Sequence, residues 1–248
     1  MPVSNVAKAE VMYNAPAKYR VRGAVINLVL KNTKSEEPFV RGEVGTEYMQ
    51  ARYANGSGHV NLSFVGKKLS ADILYSADYQ KRIIDNDIIS HHKIGDIIYD
   101  IEQYNKGERR GLTHNMRAAL DYQLSENDHL NMAYTSAITP NRKAVEKSLG
   151  NFSESSNSKM GDEQMHNVNV DYTSSLELNV GLDYTYYNYP STQDYINKTE
   201  SSEQLFLADA SQTINRWNVY AGQTHTLPSD WELNYGINFT FAKDKSSQ

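Results

Sequence analysis

The C-terminal part of the chain alternates strictly between apolar and polar residues. From Trp231 to Phe241, every odd position is Trp, Leu, Tyr, Ile or Phe, and every even position is Glu, Asn, Gly or Thr. Successive side chains of a β-strand point to opposite faces, so this pattern predicts a ribbon with one apolar and one polar face. A soluble sandwich would bury the apolar face, whereas a transmembrane β-barrel would turn it toward lipid.

Similar ribbons occur in pairs along the chain, each pair joined by a short polar segment. The predicted hairpins combine residues 60–64 with 69–79, 116–124 with 130–134, 168–172 with 176–186, and 217–221 with 231–241. Residues 140–163 and 190–204 between hairpins are hydrophilic, and we expect long loops there. Short turns at one end and long loops at the other are typical of outer-membrane barrels. Residues 83–107 are interpreted as strand, loop and strand.

Composition narrows the possible functions. Hydrophobic residues make up 39% of the 248 residues, and no apolar run reaches the roughly 20 residues of a transmembrane helix. A net charge of -5 argues against a nucleic-acid partner. The absence of cysteine excludes disulfides and thiolate metal sites. Because no nucleotide-binding or nucleophile motif is present, the sequence predicts no enzyme and no cofactor.

Titratable side chains give no catalytic or metal-binding pattern. His91 and His92 are adjacent, so in a strand they would point to opposite faces. Four further histidines are assigned to polar faces or strand ends: His114, His129, His166 and His225. Asp121 and Asp183 could suggest the carboxylate pair of a glycosidase, yet both fall on polar faces where charges would line a lumen. We therefore expect no metal site.

Residues 10–31 differ from everything that follows. They predict a short strand at Glu10–Tyr13, a turn around Asn14–Pro16, a bend at Gly23 and an apolar strand at Ala24–Leu30. A nearly unbroken apolar run is typical of a strand that is buried on both faces. This segment therefore predicts the end of a small globular domain.

This segment resembles the closing part of the plug domain in TonB-dependent outer-membrane receptors. The family pattern is Glu-Val, then Asn-x-Pro-x-x-Tyr, then a glycine and an Ile-Asn-Leu strand. The matching residues are Glu10, Val11, Asn14, Pro16, Tyr19, Gly23, Ile26, Asn27 and Leu28. The resemblance implies the C-terminal end of a plug domain at 1–33 and a partial transmembrane β-barrel at 34–248. We count about ten downstream strands, fewer than half of the 22 in such plugged transporters.

The resemblance also implies a function. The chain would be a fragment of an outer-membrane receptor of a Gram-negative cell, since no export signal precedes the plug motif. The parent would take up a scarce nutrient, such as a metal chelate, a cofactor or an oligosaccharide. Its partners would be outer-membrane lipid and, through the part of the parent not present, a TonB-type energy-transducing protein. The residues expected to face the lumen are Asn115, Arg117, Asp121, Asn179, Asp183, Asn234 and Asn238.

Two alternatives stay open. Gly236, Phe239 and Phe241 resemble the terminal-strand signal of outer-membrane proteins, which would fit a complete small barrel of eight to ten strands. The second alternative is a soluble β-sandwich binding module. The chain has 18 tyrosines, and such a module would bury the Tyr-rich strands in a dry core. In each case the predicted class is all-β, with an antiparallel meander of about ten strands as our first hypothesis.

Overall fold

A computed structural model describes residues 6–12, 25–30, 37–227 and 231–247. Every regular element in these ranges is a β-strand, so the predicted all-β class is confirmed. Within the same ranges, no helix has the length and apolar character needed to span a bilayer.

The first two strands form a small sheet of their own. β1 (Val6–Met12) and β2 (Val25–Leu30) overlap the two predicted strands and pair antiparallel, with Glu10 opposite Asn27. Ile26 in β2 is 66% exposed, so the described residues do not provide the burial predicted for this strand. Four residues of the plug motif lie outside the described residues: Asn14, Pro16, Tyr19 and Gly23. The assignment of 1–33 to a plug domain stays a prediction.

The other nine strands form one antiparallel meander in which sequence neighbours are spatial neighbours. In order they are β3 (Phe39–Gln50), β4 (Ala54–Val65), β5 (Leu69–Ile94), β6 (Ile97–Gln123), β7 (His129–Gly150), β8 (Glu154–Thr173), β9 (Leu178–Lys198), β10 (Glu203–Leu227) and β11 (Trp231–Ser247). The four predicted hairpins are confirmed as β4–β5, β6–β7, β8–β9 and β10–β11. Within the described residues the sheet is open, with β3 and β11 at its two edges.

The connections are short at both ends of the sheet, so the prediction of long loops at 140–163 and 190–204 is wrong. The first range contains the end of β7, the connection 151–153 and the start of β8. The second contains the end of β9, the connection 199–202 and the start of β10. A ladder of backbone hydrogen bonds needs no apolar side chain, so pairing continues where both faces are hydrophilic and the alternation disappears.

The segment 83–107 also continues as paired strands. β5 and β6 continue as a pair to a tight turn at Gly95 and Asp96. We call the end of the sheet that holds this turn the outer end. Gly95 has a φ of 63°, a left-handed conformation that glycine adopts without steric cost. The predicted strand, loop and strand are thus confirmed, with a loop of two residues.

One face of the nine-stranded sheet carries an apolar band that stays exposed. Directly paired residues share a face, so the register joins apolar side chains of successive strands into rows. One such row contains Leu69, Tyr122, Leu130, Tyr172, Val180, Ala221 and Ile237. In this band Ile73 is 52%, Val219 45% and Phe239 65% exposed. Among the described residues, no second layer covers these side chains, and Val65 is the single buried hydrophobic residue.

The band slants across the sheet. Its outer end is Tyr79 on β5 and Phe241 on β11, and each is followed two positions further by a lysine. Followed across the six strand steps from β11 to β5, the register places Phe241 in one row with Ile73. The outer end of the band on β5, Tyr79, lies six residues further along that strand. The band therefore shifts by one residue from each strand to the next. With about 3.3 Å per residue and about 4.8 Å between strands, this shift corresponds to strands tilted by about 35° from the perpendicular to the band. Strands of outer-membrane barrels tilt by about 35–45°.

Candidate functional site on the polar face

The face opposite the apolar band holds all seven residues predicted to line a lumen. They are distributed over β6, β9 and β11: Asn115, Arg117, Asp121, Asn179, Asp183, Asn234 and Asn238. Asp121 and Asn238 occupy one cross-strand row, which also contains Asn131, Asp171 and Tyr220. The structure therefore brings the seven onto one surface. That this surface lines a lumen stays a prediction.

Hydrogen bonds to neighbouring strands hold several of these side chains in place. The Asn115 amide donates to the Asp78 carboxylate at 2.9 Å. Asp183 accepts from the Asn167 amide at 3.0 Å. Threonine hydroxyls donate to two further amides, Thr173 to Asn179 at 2.9 Å and Thr224 to Asn234 at 2.6 Å. The polar face is thus an ordered network of oxygens and amides, which suits hydrogen bonding to a polar solute or domain.

Asp121 and Asp183 do not form a catalytic pair. They lie on strands β6 and β9, three strand steps apart. At about 4.8 Å per step this separation is about 14 Å, beyond the roughly 5–9.5 Å between the carboxyl groups of glycosidases. In the described part of the chain, no group of three or more histidine or carboxylate side chains is arranged to hold a metal ion.

An aromatic side chain bridges three strands on the polar face. Tyr220 of β10 lies across Gly181 of β9, and its hydroxyl donates to Asp171 of β8. A Cβ atom at position 181 would lie 2.2 Å from the Tyr220 ring, so glycine is what permits this contact. The bridge links β8, β9 and β10 in the register that their backbone pairing gives them. Neither Tyr220 nor Asp171 was predicted as a site residue, because their contact depends on a pairing that the sequence does not specify.

Further outward, the polar face carries a charged cavity of about 600 Å³. Its lining includes Arg142, which forms an ion pair with Glu163, and Tyr187, whose hydroxyl donates to the same carboxylate at 3.3 Å. The hydroxyls of Thr113 and Thr139 are 2.9 Å apart in its wall. Charges and hydroxyls around one cavity can orient a polar ligand by hydrogen bonds. Asn115 in its lining was among the residues predicted to face a lumen, but Arg142 and Glu163 fall in the range 140–163, where a loop was predicted, so the sequence did not indicate this cavity.

A β-bulge shapes the cavity edge. The pairing of β7 with β8 shifts by one residue between Thr139 and Arg142. Asn141 in the bulge has a φ of 50°, and its backbone N–H donates to the Asp162 carboxylate at 2.8 Å. Asparagine tolerates this left-handed conformation better than most residues. The extra residue moves Arg142 onto the polar face, where a regular strand would have placed residue 141.

The structure corrects the assignment of His114 and His166 to polar faces or strand ends, since both lie inside strands, β6 and β8. Both lie on the apolar face, at the outer end of the band, because they share the alternation of Met116 and Val168. Tyr75 and Tyr134 place their hydroxyls 2.7 Å and 2.8 Å from the Nδ1 atoms of His114 and His166. A ring with a polar tip is favoured where an apolar band meets water.

At the opposite end of the strands, Asp128 links two turns. Its carboxylate accepts hydrogen bonds from the Ser125 hydroxyl at 2.5 Å and from the Ser175 backbone N–H at 2.7 Å. These bonds, the Ser125 hydroxyl foremost, hold the pKa of Asp128 below its usual value. The turn between β6 and β7 is thereby tied to the turn between β8 and β9.

No protein-family model matches the chain, and no curated protein matches its sequence. Among solved structures, it is similar to BauA, the ferric preacinetobactin receptor from Acinetobacter baumannii, with a TM-score of 0.36 and 13% sequence identity. The match covers 91% of this chain and 44% of that receptor chain. The chain therefore spans less than half the length of this structural neighbour.

Proposed function

We propose that this chain forms part of the wall of a β-barrel in the outer membrane of a Gram-negative cell. The exposed apolar band carries this proposal. The opposite face of the sheet is polar, and the band slants across the strands as it would if the strands were tilted in a membrane. A soluble sandwich would cover such a band with a second sheet, and none lies on it in the described ranges. Lipid is the partner that suits an uncovered band.

The parity of the strands supports a larger barrel. In an antiparallel meander of nine strands, the two edge strands β3 and β11 run in the same direction. Antiparallel closure therefore requires an odd number of further strands, which weighs against a self-contained nine-stranded barrel. An open edge in hydrocarbon would leave backbone N–H and C=O groups unpaired at a cost of several kcal/mol each. Residues 34–248 would be a partial barrel that other strands complete.

The parent protein would be a TonB-dependent receptor for a scarce nutrient. The plug motif at residues 10–28, whose described residues lie on the paired strands β1 and β2, supports this class, and residues 1–33 would be the end of the plug. Transport needs no chemistry by the wall, so no enzymatic residue is assigned. The ordered polar face would contact the plug and the passing solute, whether a metal chelate, a cofactor or an oligosaccharide. A TonB-type protein would supply energy through the plug.

Membrane fractionation tests whether the chain is part of a barrel wall, and uptake assays test whether the parent protein is a nutrient receptor. The protein produced from its complete gene should resist carbonate extraction and migrate faster on unheated gels. A strain that lacks the gene should lose uptake of one supplied nutrient, and loss of the energy-transducing protein should have the same effect. A protein that leaves the membrane in carbonate would refute the wall. Normal, energy-independent uptake of every nutrient tried would refute the receptor while leaving the wall intact.

A further inference from the structure

Four cations are concentrated on β6 and β7, on the same face as the apolar band. We call Lys106, Arg110, Lys143 and Lys147 the basic patch. Arg110 stands directly opposite Lys143, and Lys106 directly opposite Lys147. The chain as a whole has a net charge of -5, so the patch does not reflect a general excess of cations.

The patch begins where the apolar band ends. Arg110 is two residues beyond Leu112, the last apolar side chain of the band on β6. The alternation of β6 places both on one face, about 7 Å apart along the strand. Lys106 lies four residues further outward than Arg110, about 13 Å along the strand. If hydrocarbon surrounds the band, the basic patch lies at the level of lipid headgroups and just above it.

In the described part of the chain, none of the four cations of the basic patch has an ion-pair partner. The nearby carboxylates on this face form ion pairs or hydrogen bonds with other residues. Glu108 pairs with Lys81 at 3.1 Å, and Asp85 pairs with Arg52 at 2.8 Å. Asp162 accepts the backbone N–H of Asn141. Like charges directly opposite each other on paired strands are destabilising, so two such pairs indicate a place for an external anion.

We propose that the basic patch binds the phosphate groups of lipid headgroups in the leaflet that surrounds the outer ends of these strands. The inference rests on the proposed function, because it requires lipid around the apolar band. Arginine and lysine bind phosphate through charge-assisted hydrogen bonds. Two cation pairs separated by about 13 Å suit a headgroup that carries more than one phosphate. A lipid with acyl chains on the band and phosphates on the patch contacts both surfaces at once.

The experiment measures lipid binding to the full gene product in detergent micelles by native mass spectrometry. The probes are lipid A, which carries two phosphates, the same lipid without phosphates, and inorganic phosphate as a competitor. The test variant is Arg110→Gln/Lys143→Gln. A matched control, Lys93→Gln/Lys198→Gln, removes the same charge at the hairpin tips far from the band. Lys143→Arg keeps the charge and serves as the conservative variant.

One basic residue near an anionic lipid surface strengthens binding about fivefold, so the test variant should bind lipid A about 30-fold more weakly. The control should change binding less than about twofold, Lys143→Arg should bind normally, and the lipid without phosphates should bind weakly to all variants. Equal binding by test and control variants would overturn the inference. Competition by millimolar inorganic phosphate as strong as that by lipid would indicate a free-phosphate site and overturn the lipid assignment.

Carbonate extraction and gel mobility of the same samples separate the two levels of the argument. A variant that stays membrane-inserted and heat-modifiable, yet binds lipid A like the control, refutes the basic patch alone. If the unaltered protein is not inserted in the membrane at all, both the barrel-wall proposal and the lipid-binding proposal are refuted. A test variant that loses its gel shift is replaced by Lys106→Gln/Lys147→Gln, for which an intermediate loss of binding is expected.

Discussion

The centre of the apolar band should reject a charge far more strongly than exposed β-sheet surface in water does. Val219 on β10 is directly paired with Leu182, the middle of the apolar run on β9, and is 45% exposed. If lipid covers it, Val219→Arg should cost about 2–4 kcal/mol, as measured for arginine at the midplane of barrel proteins. If water covers it, a surface substitution of this kind should stay within about 0.5 kcal/mol.

The same strand provides a matched control. Leu207 is 70% exposed and lies on the same face of β10, twelve residues outward from Val219. At about 3.3 Å per residue, this places it about 40 Å along the strand, well beyond the band. Leu207→Arg should therefore cost no more than about 1 kcal/mol.

Urea titration of the full gene product in lipid vesicles, followed by tryptophan fluorescence, measures both variants. The difference between them should be at least about 1 kcal/mol, and it should vanish in detergent-free water if the protein is soluble there. Equal unfolding midpoints for Val219→Arg and Leu207→Arg would refute the assignment of this face to lipid.

Substitutions at three other positions test the contacts of the strands and turns. A Cβ atom at position 181 would meet both the Tyr220 ring and the Asp171 carboxylate, so Gly181→Ala should cost about 1–3 kcal/mol. The cost should fall below about 0.5 kcal/mol in a Tyr220→Ala/Asp171→Ala background, and an unchanged cost would refute the bridge. Asp128→Asn should lower the urea midpoint at pH 7. Because the folded pKa is lowered, the carboxylate's contribution is complete above about pH 3.9 and is lost as pH falls through the folded pKa. A difference between mutant and wild type that persists in strong acid would contradict this cause. Asn141→Gly should be neutral or stabilising and Asn141→Val should cost about 1–2 kcal/mol, measured by the same titration.

The alternation of apolar and polar residues predicted most of what lies within the band. It specified four hairpins and placed residues such as Asn115 and Asp183 on one face, because a period of two leaves no freedom about which side chains share a face. The same logic could have placed His114 with Met116 on the apolar face. His114 had instead been assigned to a polar face or a strand end.

Outside the band the sequence is a weak guide, for physical reasons. In residues 140–163 and 190–204 both faces are largely hydrophilic, so paired strands look like loops. A single extra residue at Asn141 leaves no trace in composition, although it changes which side chains reach the cavity around Glu163. The contact of Tyr220 with Asp171 spans three strands, and it follows from long-range register that hydrophobic patterning alone does not determine.

The central claim is that lipid covers one face of this sheet while the opposite face is wet. The chain has no cysteine, so single nitroxide labels can be attached at Asn131→Cys and Met132→Cys, neighbouring positions of β7 with opposite faces. We expect that, in membranes, the label at 132 is relaxed mainly by oxygen, which concentrates in hydrocarbon, and the label at 131 mainly by a water-soluble nickel complex. Two labels with the same accessibility, or a label at 132 shielded from both reagents, would contradict it.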